Sequence, residues 1–143
     1  MSFHLHRFID AQDEHFPQIL AELNAGRKQT HWMWYVFPQL KGLGRSTTAN
    51  YYAISSQDEA RAYWRHAVLG PRLRACTQAV NQHGKRSAQQ VFGHPDHLKF
   101  HSCMTLFAEI SQNDPIVAQA LDQFFKGERD KATLDLLETG GAL

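Results

Sequence analysis

Residues 27–46 read Arg-Lys-Gln-Thr-His-Trp-Met-Trp-Tyr-Val-Phe-Pro-Gln-Leu-Lys-Gly-Leu-Gly-Arg-Ser and hold the residue types best suited to chemistry. Gly42-Leu43-Gly44-Arg45-Ser46 offers two unrestricted backbone positions, a guanidinium and a cap hydroxyl just before a helical stretch over 47–54. Backbone N–H groups at a helix start point outward and accept phosphate or carboxylate, and glycine lets that backbone come close. Lys41 and Arg45 add positive charge, and Arg27, Lys28 and His31 add more if the preceding residues return over the loop. The spacing is neither that of the dinucleotide fingerprint nor that of the Walker loop, so a tight connection for helix packing stays open beside an anion cradle. Two tryptophans and a tyrosine within four positions, Trp32 to Tyr35, cannot share one narrow stripe. Some of these rings must pack inside and some must line a surface or cleft.

A second polar group falls at Asp96, Lys99, Ser102, Thr105 and Glu109. Spacings of three put Lys99, Ser102 and Thr105 in one inclined row on a helix, either a solvated face or the far wall of the glycine-loop cleft. His97 and His101 lie four apart, but no Glu or Cys in register completes a set of ligands, so no metal is expected. Ser46 or Ser102 would need a base within reach to act as a nucleophile, and spacing shows neither His31 nor His66 to be one. No paired-carboxylate arrangement is evident.

The elements that must position these residues are helical. Phe16, Ile19, Leu20 and Leu23 mark a first helix from near Asp10 to Ala25, stopped by Gly26, with Pro17 either kinking it or moving its start to Phe16. Ser56 and Glu59 read as a capping box for a helix that turns Ala60, Tyr63, Trp64 and Ala67 inward and ends near Val68. Gly70-Pro71 opens the next, with Leu73, Cys76, Ala79 and Val80 inward and Gly84 as stop. Ser87 caps a short turn to Phe92-Gly93, and Asp96 caps a helix striped with Phe100, Cys103, Met104, Phe107 and Ile110. Asn113-Asp114-Pro115 starts a helix carrying Ile116, Ala120, Leu121 and Phe124 to Gly127, and a last one from about Asp130 presents Leu134 and Leu137. The pattern predicts one all-α domain over 1–143, built of six to eight short helices, with frayed ends near 1–5 and 139–143.

Composition bounds the function without naming it. The chain has 143 residues with 15 Lys+Arg against 14 Asp+Glu, 43% hydrophobic residues and 20% charged, which excludes disorder and gives no general attraction to nucleic acid. No run of 18 apolar residues and no signal-peptide pattern is present, so a cytoplasmic protein without membrane contact is expected. Cys76 and Cys103 read as reduced core thiols.

His31-Trp32-Met33-Trp34 with Phe37-Pro38-Gln39, Gly42-Leu43-Gly44 and Ser46, followed by Phe92-Gly93, Asp96, Lys99, Ser102 and Met104-Thr105-Leu106-Phe107, resembles the bacterial family known as domain of unknown function 1810. The resemblance runs from Phe8 to about Phe125 and implies a mainly helical single domain with no settled activity. The calpastatin-like label often attached to such proteins does not suit an aromatic-rich globular chain, since an inhibitor of that kind is charged, proline-rich and disordered. The chain departs from the family pattern at Cys103, where a second serine is expected, and at His97, where an Asp or other polar residue is expected. The residues the resemblance carries into a candidate pocket are His31, Gln39, Gly42, Gly44, Ser46, Lys99, Ser102 and Thr105, with Trp32, Trp34 and Tyr52 as walls, and charge adds Arg45.

Two functions follow from these residues. One is a site for a small phosphorylated or nucleotide-like ligand, with His31 as first candidate general acid or base should a hydrolase or transferase reaction occur there. The other is a non-enzymatic module in which Trp32–Phe37 docks a partner protein or a second copy of the chain. Neither requires a cofactor.

Overall fold

Eight residues of α7 (Asp96–Ile110) are buried, Phe100 and the uninterrupted run from Ser102 to Ala108. A helix buried on every side needs neighbours all round. They are α4 (Gln57–Arg65), α6 (Ala88–Phe92), α8 (Pro115–Phe125) and α9 (Lys131–Glu138), each packed on α7. A second centre is α5 (Leu69–Asn81), which packs on α8, on α4 and on the long α1 (His6–Ala25). The short helices α2 (Met33–Val36) and α3 (Thr47–Tyr51) complete nine helices among the described residues, 3–139 of this computed structural model. Of the ends expected to fray, 1–5 and 139–143, residues 1–2 and 140–143 lie outside the described residues. The architecture is all-α, as expected, with nine helices among the described residues where six to eight were expected, because residues 27–54 contribute two very short ones.

Most helix boundaries have the chemistry the sequence advertises. Ser46, Ser56, Ser87, Asp114 and Asp130 each accept a backbone N–H from the first turn of their helix, and Ser87 with Gln90 forms a full capping box. Gly26 takes the left-handed conformation at φ 77° and closes α1.

Four boundary details differ from expectation. Helix α1 starts at His6 and runs through Pro17, because both Pro17 and Asp13, whose carbonyl loses its N–H partner, are solvent-exposed. Glu59 does not return to the Ser56 backbone; its carboxylate accepts from Ser55 N at 2.7 Å and Ser55 Oγ at 2.8 Å, and it turns inward to Arg7. Asp96 is the first helical residue of α7 and makes no capping bond, since it is engaged by two lysines. Helix α4 ends at Arg65 rather than near Val68, and His66 Nδ1 accepts from Val68 N and Leu69 N at the start of α5.

Two buried polar clasps hold α1 to the rest. All five guanidinium donors of Arg7 are used, on the carbonyls of Phe3, His4, Tyr51 and Ala53 and on Glu59 Oε2 at 2.8 Å. Glu22, 7% exposed, accepts from Gln29 N, Thr30 N, Thr30 Oγ1, Trp32 Nε1 and Gln18 Nε2 at 2.6–3.2 Å. Burial alone would raise the Glu22 carboxyl, but these donors outweigh it and lower it from 4.5 to about 2. No helix among the described residues is long and apolar enough to cross a membrane.

Candidate functional site

Residues 37–54 form a closed loop, and its closure explains how distant positions meet. Pro38 ends α2, Lys41 N donates to Ile54 O at 2.9 Å, and Ile54 N donates to Gln39 O at 2.8 Å, a single parallel bridge between Leu40 and Ile54. Phe37 anchors this loop on the core, edge-on to Phe92 and Phe100 at 5.6 and 5.1 Å. Those two rings belong to α6 and α7, so the loop is set beside the first turn of α7.

Trp34, Gln39, Gly44, Tyr52 and Lys99 consequently line one recess, together with buried Met33, Phe37 and Leu40. The first five are all residues the sequence singles out, Trp34, Gly44 and Lys99 by type and position and Gln39 and Tyr52 by the family resemblance. The enclosed space is about 10 Å³, room for roughly one water. Gly44 is required there by close approach: a Cβ would lie 2.6 Å from that of Ala49. Gly42, on the exposed side of the loop, takes φ 106°, which side chains rarely adopt. The amide of Gln39 makes no side-chain hydrogen bond among the described residues.

Lys99 is the charge at this recess. Its Nζ lies 5.3 Å from the Trp34 ring centroid and 3.4 Å from Asp96 Oδ1. The other carboxylate oxygen of Asp96 meets Lys28 Nζ at 2.9 Å, and Lys28 in turn lies 5.2 Å over the ring of Trp32. Two ammoniums therefore share one carboxylate, each on its own indole, and the cluster carries one net positive charge. Arg45 and Lys41 are exposed on the neighbouring loop and extend that sign.

The remaining predicted residues lie elsewhere. Trp32 is 1% exposed and its Nε1 donates to Glu22 at 3.0 Å, so it belongs to the core rather than to a wall open to ligand. Ser46 is occupied in capping α3, accepting from Ala49 N at 3.0 Å, and a helix of five residues has little dipole to offer an anion. Ser102 and Thr105 are buried against α9: Ser102 Oγ is 3.2 Å from Asp130 Oδ2, and Thr105 Oγ1 accepts from Asp130 N at 2.9 Å. The polar row thus divides, with Lys99 at the recess and the two hydroxyls docking the start of α9. His31 is exposed and lines a different recess of about 210 Å³, with Thr30, Trp32, Tyr35, His15 and Gln18.

Metal and thiol chemistry have no assembled machinery among the described residues. His97 Nδ1 and His101 Nε2 face the carbonyls of Gly93 and Glu128, and the His101 ring stacks on Phe125 at 4.0 Å. No group of three His, Cys, Asp or Glu is placed to hold a metal. Burial pushes the Cys76 thiol up to about 12 and Cys103 well above its ordinary value, so both are protonated core residues.

Residues 2–137 match the family model described as "Protein of unknown function (DUF1810)". The crystal structure of the conserved hypothetical protein Rv1873 from Mycobacterium tuberculosis is similar, with 48% identity over 94% of this chain and 96% of that one and a TM-score of 0.92. No curated protein matches. The chain belongs to the DUF1810 family.

Proposed function

Taking that membership as the premise, which brings a fold but no activity, we propose that the chain binds a small phosphorylated or nucleotide-like ligand at the Lys99–Trp34 recess. Lys99 meets the anion, the face of Trp34 meets a base or sugar, and the Gln39 amide supplies a directional hydrogen bond. The observation that carries this reading is the convergence of Trp34, Gln39, Gly44, Tyr52 and Lys99 on one recess in which the polar groups keep unused donors. Because the enclosed space is water-sized, only terminal oxygens of the ligand enter it. The rest lies across the exposed loop, where Arg45 supplies further charge. The proposed role is binding. No His, Asp or Glu lines the recess, so a hydrolase or transferase reaction there would need a proton carrier from the ligand or from water, and His31 faces another surface.

The competing interaction module loses most of its surface. Of the segment Trp32–Phe37, Trp32, Met33, Val36 and Phe37 are buried, which leaves Trp34 and Tyr35 to face a partner.

Thermal shift of the wild type, Lys99→Ala and Gln39→Ala against inorganic phosphate, mononucleotides, NAD and ADP-ribose tests the reading. At a hundredfold its dissociation constant a ligand adds about 2.7 kcal/mol, equivalent to a rise of about 5–10 °C. The expected result is such a rise in the wild type for at least one of these ligands, lost in Lys99→Ala and reduced in Gln39→Ala. A flat panel, or an equal rise in all three proteins, would overturn it.

A further inference from the structure

Tyr52 has a second neighbourhood that the anion site does not use. Between α1 and the end of α3 lies an open recess of about 320 Å³, a size that suits a small ligand. Tyr35, Tyr51 and Tyr52 form one of its sides. The Tyr51 and Tyr52 rings are 4.8 Å apart at 84°, and Tyr35 and Tyr52 are 5.3 Å apart at 53°, so the three rings present faces and edges at steep mutual angles. Tyr51 is 52% exposed, among the most exposed large aromatic side chains described.

The charge on the rim is negative. Asp10 and Glu14, one turn apart on α1, both line the recess. Asp10 has no ion pair among the described residues, and Glu14 has only His15 at 3.6 Å. Arg7 also borders the recess, but its five donors are all committed and its charge is matched by Glu59, so it opposes a cation little. Burial raises the phenols of Tyr35 and Tyr52 above their ordinary value, and the Glu14 carboxylate raises both further, which places that charge within reach of both rings.

We propose that this recess binds the head of an organic ammonium cation, with the faces of Tyr35, Tyr51 and Tyr52 around the alkyl groups and Glu14 and Asp10 supplying the counter-charge. Angled aromatic faces attract a cation through the ring quadrupole, and methyl groups on nitrogen spread the charge over apolar contact. A bare metal ion is a poor match, because the carboxylates stand on an exposed helix face with no third ligand beside them. The site shares only Tyr52 with the anion recess, so it stands or falls independently of that reading.

The test is a titration of the full chain with tetramethylammonium chloride and with choline, at ionic strength matched by sodium chloride, following the ring-proton resonances of Tyr51 and Tyr52. The neutral isostere 3,3-dimethyl-1-butanol serves as control. Saturable shifts with both cations and none with the neutral compound are expected. Glu14→Gln and Tyr51→Ala, both at exposed positions, should each weaken binding about fivefold or more, while Lys99→Ala leaves it unchanged. Equal response to the neutral isostere, absence of saturation, or wild-type affinity in both recess variants would overturn the proposal. Loss of ammonium binding in Lys99→Ala would overturn its independence from the anion site.

Discussion

Two carboxylates hold residues 28–32, Asp96 at Lys28 and Glu22 at Gln29, Thr30 and Trp32, and they differ in what they leave free. Glu22 takes neutral donors only, from Gln18, Gln29, Thr30 and Trp32, and its two oxygens are saturated. Asp96 takes two ammoniums, Lys28 and Lys99, and each lysine has more N–H donors than the carboxylate can use. The same contrast separates the tryptophans: Trp32 is fixed by Glu22, while Trp34 sits half-exposed under Lys99. A buried polar group with every bond filled holds the chain together, because losing a partner strands the other group. A charged group with unfilled capacity at a recess is where a ligand can gain. Arg7 falls on the first side of this division and Lys99 on the second.

The largest way to break the contrast is on the saturated side. Arg7→Met leaves Glu59, 2% exposed, without its counter-charge and should cost about 3–5 kcal/mol, read as a lower urea midpoint. The second test is acid. The Glu22 carboxyl is near 4.5 unfolded and about 2 folded, so its contribution is complete above about pH 4.5 and is lost as pH falls toward 2. At 1.36 kcal/mol per unit this is about 3 kcal/mol, and Glu22→Gln should flatten that part of the stability profile between pH 5 and 2.5. Ser46→Ala removes a cap from an exposed short helix and should cost about 1 kcal/mol by the same denaturation measurement. The smallest stability effect belongs to Lys99→Ala, below about 1 kcal/mol, since it removes one partly exposed ion pair and one ring contact while Lys28 still pairs Asp96. If Lys99→Ala instead unfolds the protein as severely as Arg7→Met, the division between holding and binding groups fails.

Much of this molecule is legible from its residues because local chemistry decides it. The Ser56, Ser87, Asp114 and Asp130 caps and the Gly26 stop mark helix ends by bonds within a few positions, and the structure contains those bonds, whereas the cap expected at Asp96 is lost to its two lysines. Of the lining residues, Trp34, Gly44 and Lys99 are legible as types out of place in an amphipathic pattern, and Gln39 and Tyr52 through the family resemblance. Their meeting is not, since it depends on Phe37 seating against Phe92 and Phe100 and on the Leu40–Ile54 closure. Trp32 and Trp34 look equivalent in the sequence, and what separates them is Glu22, ten positions from Trp32. A signal for Glu22 and Glu59 existed. Each lies on the apolar face of its helix, beside Ile19 and Leu23 in one case and in register with Tyr63 in the other, where an exposed glutamate has no reason to be. Ser102 and Thr105 misled for the opposite reason: their hydroxyls are buried and satisfied by α9, a partner their own spacing cannot reveal.

The account is tested most directly by a titration of the labelled protein with a mononucleotide, following the indole N–H resonances of Trp32 and Trp34 in the wild type and in Lys99→Ala. Saturable movement of the Trp34 signal with a nearly fixed Trp32 signal, the movement absent in Lys99→Ala, is the predicted result. A stationary Trp34, or movement that persists unchanged without the Lys99 ammonium, would contradict it.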